Sequence, residues 1–244
     1  MSEPSIAVIA STMRSGSTLL KALLAEAPDI SNLPETNFQK YHGHPQALEE
    51  LGKLDEHPIL LLKRPCWFQE VRRYPRLPTV DNVKTILLVR DVYETVVSLR
   101  KMAFRKFAGT LGPWANRFLI QGYWAGVMRR LNEVREADGA STCVVRYEDL
   151  VRDPIATTAS LFTFLGSERT TGTDTYSQPE DYQWKWGQDD GGPKIKTLQV
   201  QSPKPHGYPD RALLRAIHRS SLALQMRQQF GYSDLPAPEP QGRV

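Results

Sequence analysis

Cysteine is scarce: Cys66 and Cys143 are the only two in 244 residues. Two thiols cannot build a disulfide scaffold or a Cys-rich zinc site, and their scarcity fits a reducing cytoplasm. Long hydrophobic runs are missing too. Without some 18 consecutive apolar residues there is no candidate transmembrane helix, so no membrane partner is expected. The opening MSEPSIAVIAS lacks the basic region and extended apolar stretch of a secretory signal, and the expected location is cytoplasmic. No internal repeat or low-complexity segment occurs. Neither sign of charge dominates: 31 Lys+Arg against 27 Asp+Glu leaves +4. The basic residues are scattered rather than gathered into a stripe with interleaved aromatics, so no nucleic-acid partner is expected.

What is present alternates between two kinds of segment. Ser5–Ala10 (SIAVIA), Pro58–Lys63 (PILLLK), Thr85–Arg90 (TILLVR) and Thr142–Tyr147 (TCVVRY) are short and almost entirely apolar. Strands apolar on both faces belong in a parallel sheet covered from both sides. Between them, helical periodicity runs from Thr18 to Pro28, with Leu19, Leu20, Leu23 and Leu24 on one face. It resumes over Val92–Phe107, Pro113–Ala137 and Pro154–Leu165. The alternation predicts one α/β domain over residues 1–232, a three-layer α/β/α sandwich around a mostly parallel sheet. The stretch Gly166–Pro209 is polar and rich in Gly, Pro and Thr, and includes Trp184, Trp186 and Asp189-Asp190-Gly191-Gly192. An irregular segment of that length is functional or mobile. A last amphipathic helix spans Pro209–Phe230, and the proline-containing residues 233–244 are expected to form a flexible tail.

The densest chemical signal is Thr12-Met13-Arg14-Ser15-Gly16-Ser17-Thr18-Leu19-Leu20, between the first strand and its helix. Small residues with a glycine let the backbone curl until successive N–H groups point at one anion. The helix N-terminus adds its dipole and unpaired donors. Arg14 supplies a positive charge, and the Ser17 and Thr18 hydroxyls can donate to phosphate oxygens. The fold expected is therefore of the P-loop nucleotide-binding type. The loop is nevertheless not a Walker A motif, because G-x-x-x-x-G-K-[ST] is absent and the cation precedes the glycine. No obvious acid follows an apolar strand to hold Mg²⁺. The loop thus suits a phosphate-containing donor handled without a metal.

At these residues the chain resembles the sulfotransferases that use 3′-phosphoadenosine 5′-phosphosulfate (PAPS). Their 5′-phosphosulfate loop, [KR]-S-G-[ST]-T, is matched by Arg14-Ser15-Gly16-Ser17-Thr18. Their second signature is an Arg ending a buried strand and a Ser eight residues on, which together grip the 3′-phosphate. Arg90-Asp91-Val92-Tyr93-Glu94-Thr95-Val96-Val97-Ser98 reproduces that spacing. A third match is Arg146-Tyr147-Glu148-Asp149-Leu150, where the family's Tyr packs near the adenine; Phe230-Gly231-Tyr232 also looks family-like. The resemblance implies PAPS as co-substrate, adenosine 3′,5′-bisphosphate (PAP) as product, and no metal. It implies in-line transfer of a sulfuryl group by positioning and charge stabilisation, with Arg14 at the 5′-phosphate and the developing bridging-oxygen charge.

The phenol- and steroid-type branch carries Lys-x-His at the end of the second core strand, where this chain has Lys63-Arg64-Pro65. Leu33-Pro34-Glu35-Thr36-Asn37-Phe38 instead resembles the branch with a glutamate after the first helix. That resemblance implies Glu35 as general base, with His42 and His44 as alternatives, and Lys63 against the transferring sulfuryl or leaving oxygen. Lys194 and Lys196 are candidates for the basic residues of a late loop closing over the nucleotide. Trp184 and Trp186 either line the acceptor pocket or anchor that loop. Arg72, Arg73 and Arg76 form a basic cluster read as a solvated face. The acceptor is expected to be a small polar molecule such as a natural product of secondary metabolism. The oligomeric state is not legible. Two rival readings remain at this level: a P-loop-type nucleotide kinase working with Mg²⁺, and a non-catalytic nucleotide-binding module.

Overall fold

The computed structural model describes residues 4–35, 47–75, 77, 83–103, 113–185, 189, 193–202 and 207–237. The four apolar runs become β1 Ser5–Thr12, β2 Ile59–Cys66, β3 Val83–Val89 and β4 Thr142–Arg146. They pair in parallel in the order β2-β1-β3-β4. The helices are α1 Ser17–Leu24, α2 Ala47–Leu54, α3 Val92–Ala103, α4 Pro113–Arg117, α5 Gly126–Ala137, α6 Tyr147–Arg152, α7 Pro154–Leu165, α8 Arg211–His218 and α9 Ser221–Gln229.

Alternation along each strand distributes side chains to two covered faces. On one, Ala7 and Ile9 of β1 and Ile86 and Leu88 of β3 pack with Leu20, Leu23 and Leu24 of α1 and Leu161 and Phe162 of α7. On the other, Ala10, Leu87 and Val89 meet Val96 and Leu99 of α3, Leu131 of α5 and Leu213 and Ile217 of α8. This is the three-layer α/β/α arrangement anticipated above. With both faces covered, strands made of Leu, Ile and Val are favoured, each fully buried side chain contributing roughly 1.5–3 kcal/mol.

Several boundaries differ from the expectation for local reasons. The long helix over Pro113–Ala137 is interrupted by a π-helical stretch, Phe118–Ala125, joining α4 to α5. The helix over Pro209–Phe230 divides at Ser220, whose hydroxyl accepts from the Ala223 N–H at 3.3 Å and so starts α9 as a separate helix. The run expected to extend to Tyr147 stops at Arg146, because Tyr147 opens α6, with Glu148 and Asp149 in its first turn where carboxylates suit the dipole. The flexible tail expected from residue 233 begins later. Leu235 is only 6% exposed and packs into the α3/α5/α8 core, and the Ser233 carbonyl accepts from Arg227. Residues 238–244 lie outside the described residues. No helix among the described residues is long and apolar enough to cross a membrane.

The polar stretch after α7 has little regular structure, an isolated Thr175–Gln199 bridge and a 3₁₀ turn at Ile195–Thr197. Apolar anchors tie it down: Tyr176, Tyr182, Trp184 and Ile195 are buried against the α1/α7 face. Trp184 stands edge-on to Tyr176 at 6.0 Å, so this tryptophan holds the segment in place. Trp186 falls outside the described residues.

Candidate active site

The strand order places a topological switch at β1: the chain leaves β1 for β2 on one side and then crosses to β3 on the other. Ligands of open parallel sheets bind at the carboxyl ends of strands at such a point. A cavity of about 780 Å³ lies there, lined by Arg14, Gly16–Leu19, Glu35, Lys63, Arg90, Ser98, Tyr147, Asp189 and Lys194 among others. Neighbouring strands are about 4.8 Å apart, so Lys63 on β2 and Arg90 after β3 flank the β1 loop with roughly 10 Å between their strand axes.

The loop between β1 and α1 turns through two residues of positive φ, Arg14 at 66° and Gly16 at 91°. Only glycine fits at 16: a Cβ there would come within 2.5 Å of the Tyr147 ring. Gly16→Ala is expected to cost about 2–4 kcal/mol in urea unfolding, the sum of left-handed strain and overpacking. An unchanged unfolding midpoint would contradict this close approach.

Two buried tyrosines brace the loop where β1 and β2 part. Pro65, opposite Ser11, has no N–H to offer. The Tyr74 hydroxyl accepts from the Ser11 N–H and donates to the Arg64 carbonyl, each at 2.5 Å. One step on, the Tyr123 hydroxyl accepts from Met13 N–H at 2.7 Å and donates to the Cys66 carbonyl at 2.6 Å. Burial pushes both phenols well above the ordinary tyrosine value, so they remain O–H donors. Trp124, next to Tyr123 in the π-helical stretch, donates its indole N–H to the Arg90 carbonyl at 2.9 Å. Consecutive residues of that stretch thereby hold both the phosphate loop and Arg90.

On the β3 side, Arg90 donates to the Arg14 carbonyl at 3.0 Å and lies over the Tyr147 ring at 4.4 Å. Glu94, one helical turn on, is 3.6 Å from its guanidinium. The Arg14 Nε donates to Ser98 Oγ at 3.1 Å, so the family-like Arg90/Ser98 pair acquires a second guanidinium. Arg90 Nε is buried with no hydrogen-bond partner among the described residues. An orphaned guanidinium donor beside a hydroxyl and a second arginine fits a phosphate, which accepts several charged hydrogen bonds. Behind them, Glu148 accepts from the Asp91 N–H at 3.0 Å and the Tyr232 hydroxyl at 2.9 Å, which accounts for the family-like Phe230-Gly231-Tyr232.

On the β2 side, Lys63 is 3% exposed. Its ammonium lies 2.9 Å from Glu35 Oε2, donates to Thr18 Oγ1 at 3.0 Å, and is ion-paired with Asp189. Asp189 also meets Lys21 of α1 at 2.7 Å, and Lys21 donates to the Tyr182 hydroxyl at 2.6 Å. The two lysines respond differently. Burial lowers Lys21 to about 8, with Asp189 opposing it and Lys63 adding repulsion. Burial also disfavours charge on Lys63, but Asp189 and Glu35 together hold it above the ordinary lysine value. Asp189 is buried yet stays below the usual carboxylate range because two ammonium groups face it.

Most of the residues singled out by sequence therefore meet around one cavity. Ser15 does not line it: its hydroxyl is buried against Thr12. Lys194 lines the cavity, whereas Lys196, on the 3₁₀ turn, is exposed and outside the lining. Arg72 and Arg73 are exposed. His42, His44 and Arg76 lie outside the described residues. Sequence reasoning passed over Lys21, Asp189, Tyr182, Tyr74, Tyr123 and Trp124. For Lys21 a signal existed, a lysine on the apolar face of α1; the tyrosine braces left none.

Residues 56–171 match the model of the sulfotransferase family. No curated protein sequence matches the chain significantly. Among solved structures, the sulfotransferase domain from the curacin biosynthetic pathway is 22% identical, covers 94% of this chain and 98% of its own, and superposes with a TM-score of 0.57. The sulfotransferase domain from the Synechococcus PCC 7002 olefin synthase is 20% identical, with coverage of 97% and 98% and a TM-score of 0.56. A mouse sulfotransferase complexed with PAP is 16% identical, with coverage of 94% and 90% and a TM-score of 0.53. At these identities the structures speak for the fold. The segment that matches the sulfotransferase family model carries the Arg90/Ser98 spacing, and the chain shares the fold of these sulfotransferase structures over nearly its whole length.

Proposed function

We propose that the protein is a PAPS-dependent sulfotransferase acting on a hydroxyl or amine of a small polar acceptor in the cytoplasm. The observation that carries this reading is the two-ended cavity: Arg90, Ser98 and Arg14 on the β3 side, Lys63 and Glu35 on the β2 side, with the phosphate loop between them. The first group suits the 3′-phosphate, Gly16–Thr18 the 5′-phosphate, and the second the transferred group. The face of Tyr147, packed on Gly16, suits the adenine. Lys194 is assigned to the nucleotide rim. Lys196, exposed beyond the cavity, has no part here.

In the reaction, the acceptor oxygen or nitrogen attacks sulfur while the bond from sulfur to the 5′-phosphate oxygen breaks, and PAP departs with that electron pair. Glu35 takes the acceptor proton. Lys63, held between Thr18 and Glu35, stabilises negative charge on the bridging oxygen. Arg14, whose Nε donates to Ser98 Oγ at 3.1 Å, is assigned to the 5′-phosphate and shares with Lys63 the developing charge on that oxygen. A sulfuryl group carries less negative charge than a phosphoryl group, so side-chain cations suffice and no metal is needed.

The test is incubation with ³⁵S-labelled PAPS and a metabolite extract, with EDTA present. A product heavier by one sulfuryl group, formed together with PAP, is the expected result. Phosphate transfer from ATP that requires Mg²⁺ and leaves PAPS untouched would overturn the assignment in favour of a kinase.

A further inference from the structure

The irregular segment after α7 reaches the β2 side of the cavity through one buried side chain. Asp189 is 3% exposed and both of its oxygens are engaged: Oδ1 pairs with Lys63, and Oδ2 lies 2.7 Å from Lys21 Nζ and 2.7 Å from the Tyr182 hydroxyl. The Tyr182 hydroxyl donates to Asp189 Oδ2 and also lies 3.1 Å from Asn32 Oδ1. The cluster therefore joins α1, β2, the turn before Glu35 and the late segment.

Buried charges persist only when paired, and Lys21, 1% exposed, does not line the cavity. It serves no ligand directly. What it does is hold Asp189 in place against Lys63.

We infer that Asp189 is a positioning residue for sulfuryl transfer, clamped by Lys21 and Tyr182 so that its carboxylate keeps the Lys63 ammonium charged and directed at Thr18 and Glu35. The inference rests on the role given to Lys63 above. Among the described residues, the charged groups facing Lys63 are Glu35, Asp189 and Lys21, with the Thr18 hydroxyl beside them. Remove the Asp189 charge and two buried ammonium groups share one carboxylate. Protons are then lost from the lysines at lower pH, and a neutral Lys63 amine can neither stabilise the leaving oxygen nor orient Glu35.

The experiment compares wild type with Asp189→Asn by two readouts. One is the titration of Lys63 in the ligand-free protein, followed by NMR of ¹⁵N-labelled lysine and assigned with Lys63→Arg. It is expected to fall by about one to two pH units. The other is the pH profile of kcat, whose alkaline limb should move down by a similar amount while KM for PAPS changes little. Asp189→Glu should restore part of both. Should Asp189→Asn fail to fold, Lys21→Met/Asp189→Asn removes the buried pair together, and Lys63 should still titrate below its wild-type value because its contacting carboxylate is gone. A Lys63 titration that does not move overturns the inference, and so does a shifted titration with an unshifted kcat profile. A wild-type protein that transfers no sulfuryl group at all overturns the proposed function instead, and the titration separates the two failures.

Discussion

Replacing Arg90 by alanine is expected to weaken PAP binding roughly 30- to 150-fold while binding of adenosine 5′-monophosphate changes little. The estimate is the loss of charge-assisted bonds to one phosphate, about 2–3 kcal/mol. Arg90 is placed for that role by three contacts that do not depend on ligand: Trp124 on its carbonyl, the Arg14 carbonyl on its guanidinium, and the Tyr147 ring beneath it. Truncation removes the two side-chain contacts for both nucleotides alike, so the ratio of the two losses reports the 3′-phosphate. Arg90→Lys retains the charge without the planar fork and should lie between wild type and alanine. Isothermal titration of both ligands decides the matter, and equal losses would remove Arg90 from the 3′-phosphate site.

The second large effect is expected at Glu35. Glu35→Gln preserves the shape of the side chain but not its capacity to take a proton, and kcat should fall by about 10²–10⁴, the usual contribution of a general base. PAP affinity should stay near wild type, because Glu35 touches Lys63 on the β2 side and not the Arg90 group. Single-turnover measurements with saturating PAPS give the chemical step directly. Retention of full activity transfers the role of base to His42 or His44.

Much of this arrangement is written locally. Each strand is a run of five to eight residues whose apolar character on both faces is its own signal, and the structure returns all four with ends shifted by up to three residues. The phosphate loop is contiguous, and Arg90 and Ser98 are separated by a fixed eight-residue step from strand end into helix. Such spacings are set by covalent geometry and helical pitch, so they can be read without knowing what packs beyond them.

Other features could not be read that way. The stretch FLIQGYWA is uniformly apolar, and nothing in it distinguishes a π-helical register from an α-helical one. Yet that register sends Tyr123 and Trp124 to the two halves of the site. Pro65 within β2 could be noted as the replacement for a histidine, but not as the gap that the Tyr74 hydroxyl spans. The contact of Arg14 with Ser98, 84 residues away, is likewise invisible in the loop motif.

By itself, then, the sequence determined the layered parallel sheet, the loop after β1 and the eight-residue step from Arg90 to Ser98, because each depends on residues near one another along the chain. Only the tertiary structure decided that Lys63 shares Asp189 with Lys21, across 126 and 168 residues respectively. The physical reason is that a buried ion pair is made by the folded core. Its partners are chosen by which side chains the sheet and its covering segments enclose together, and no local pattern encodes that choice.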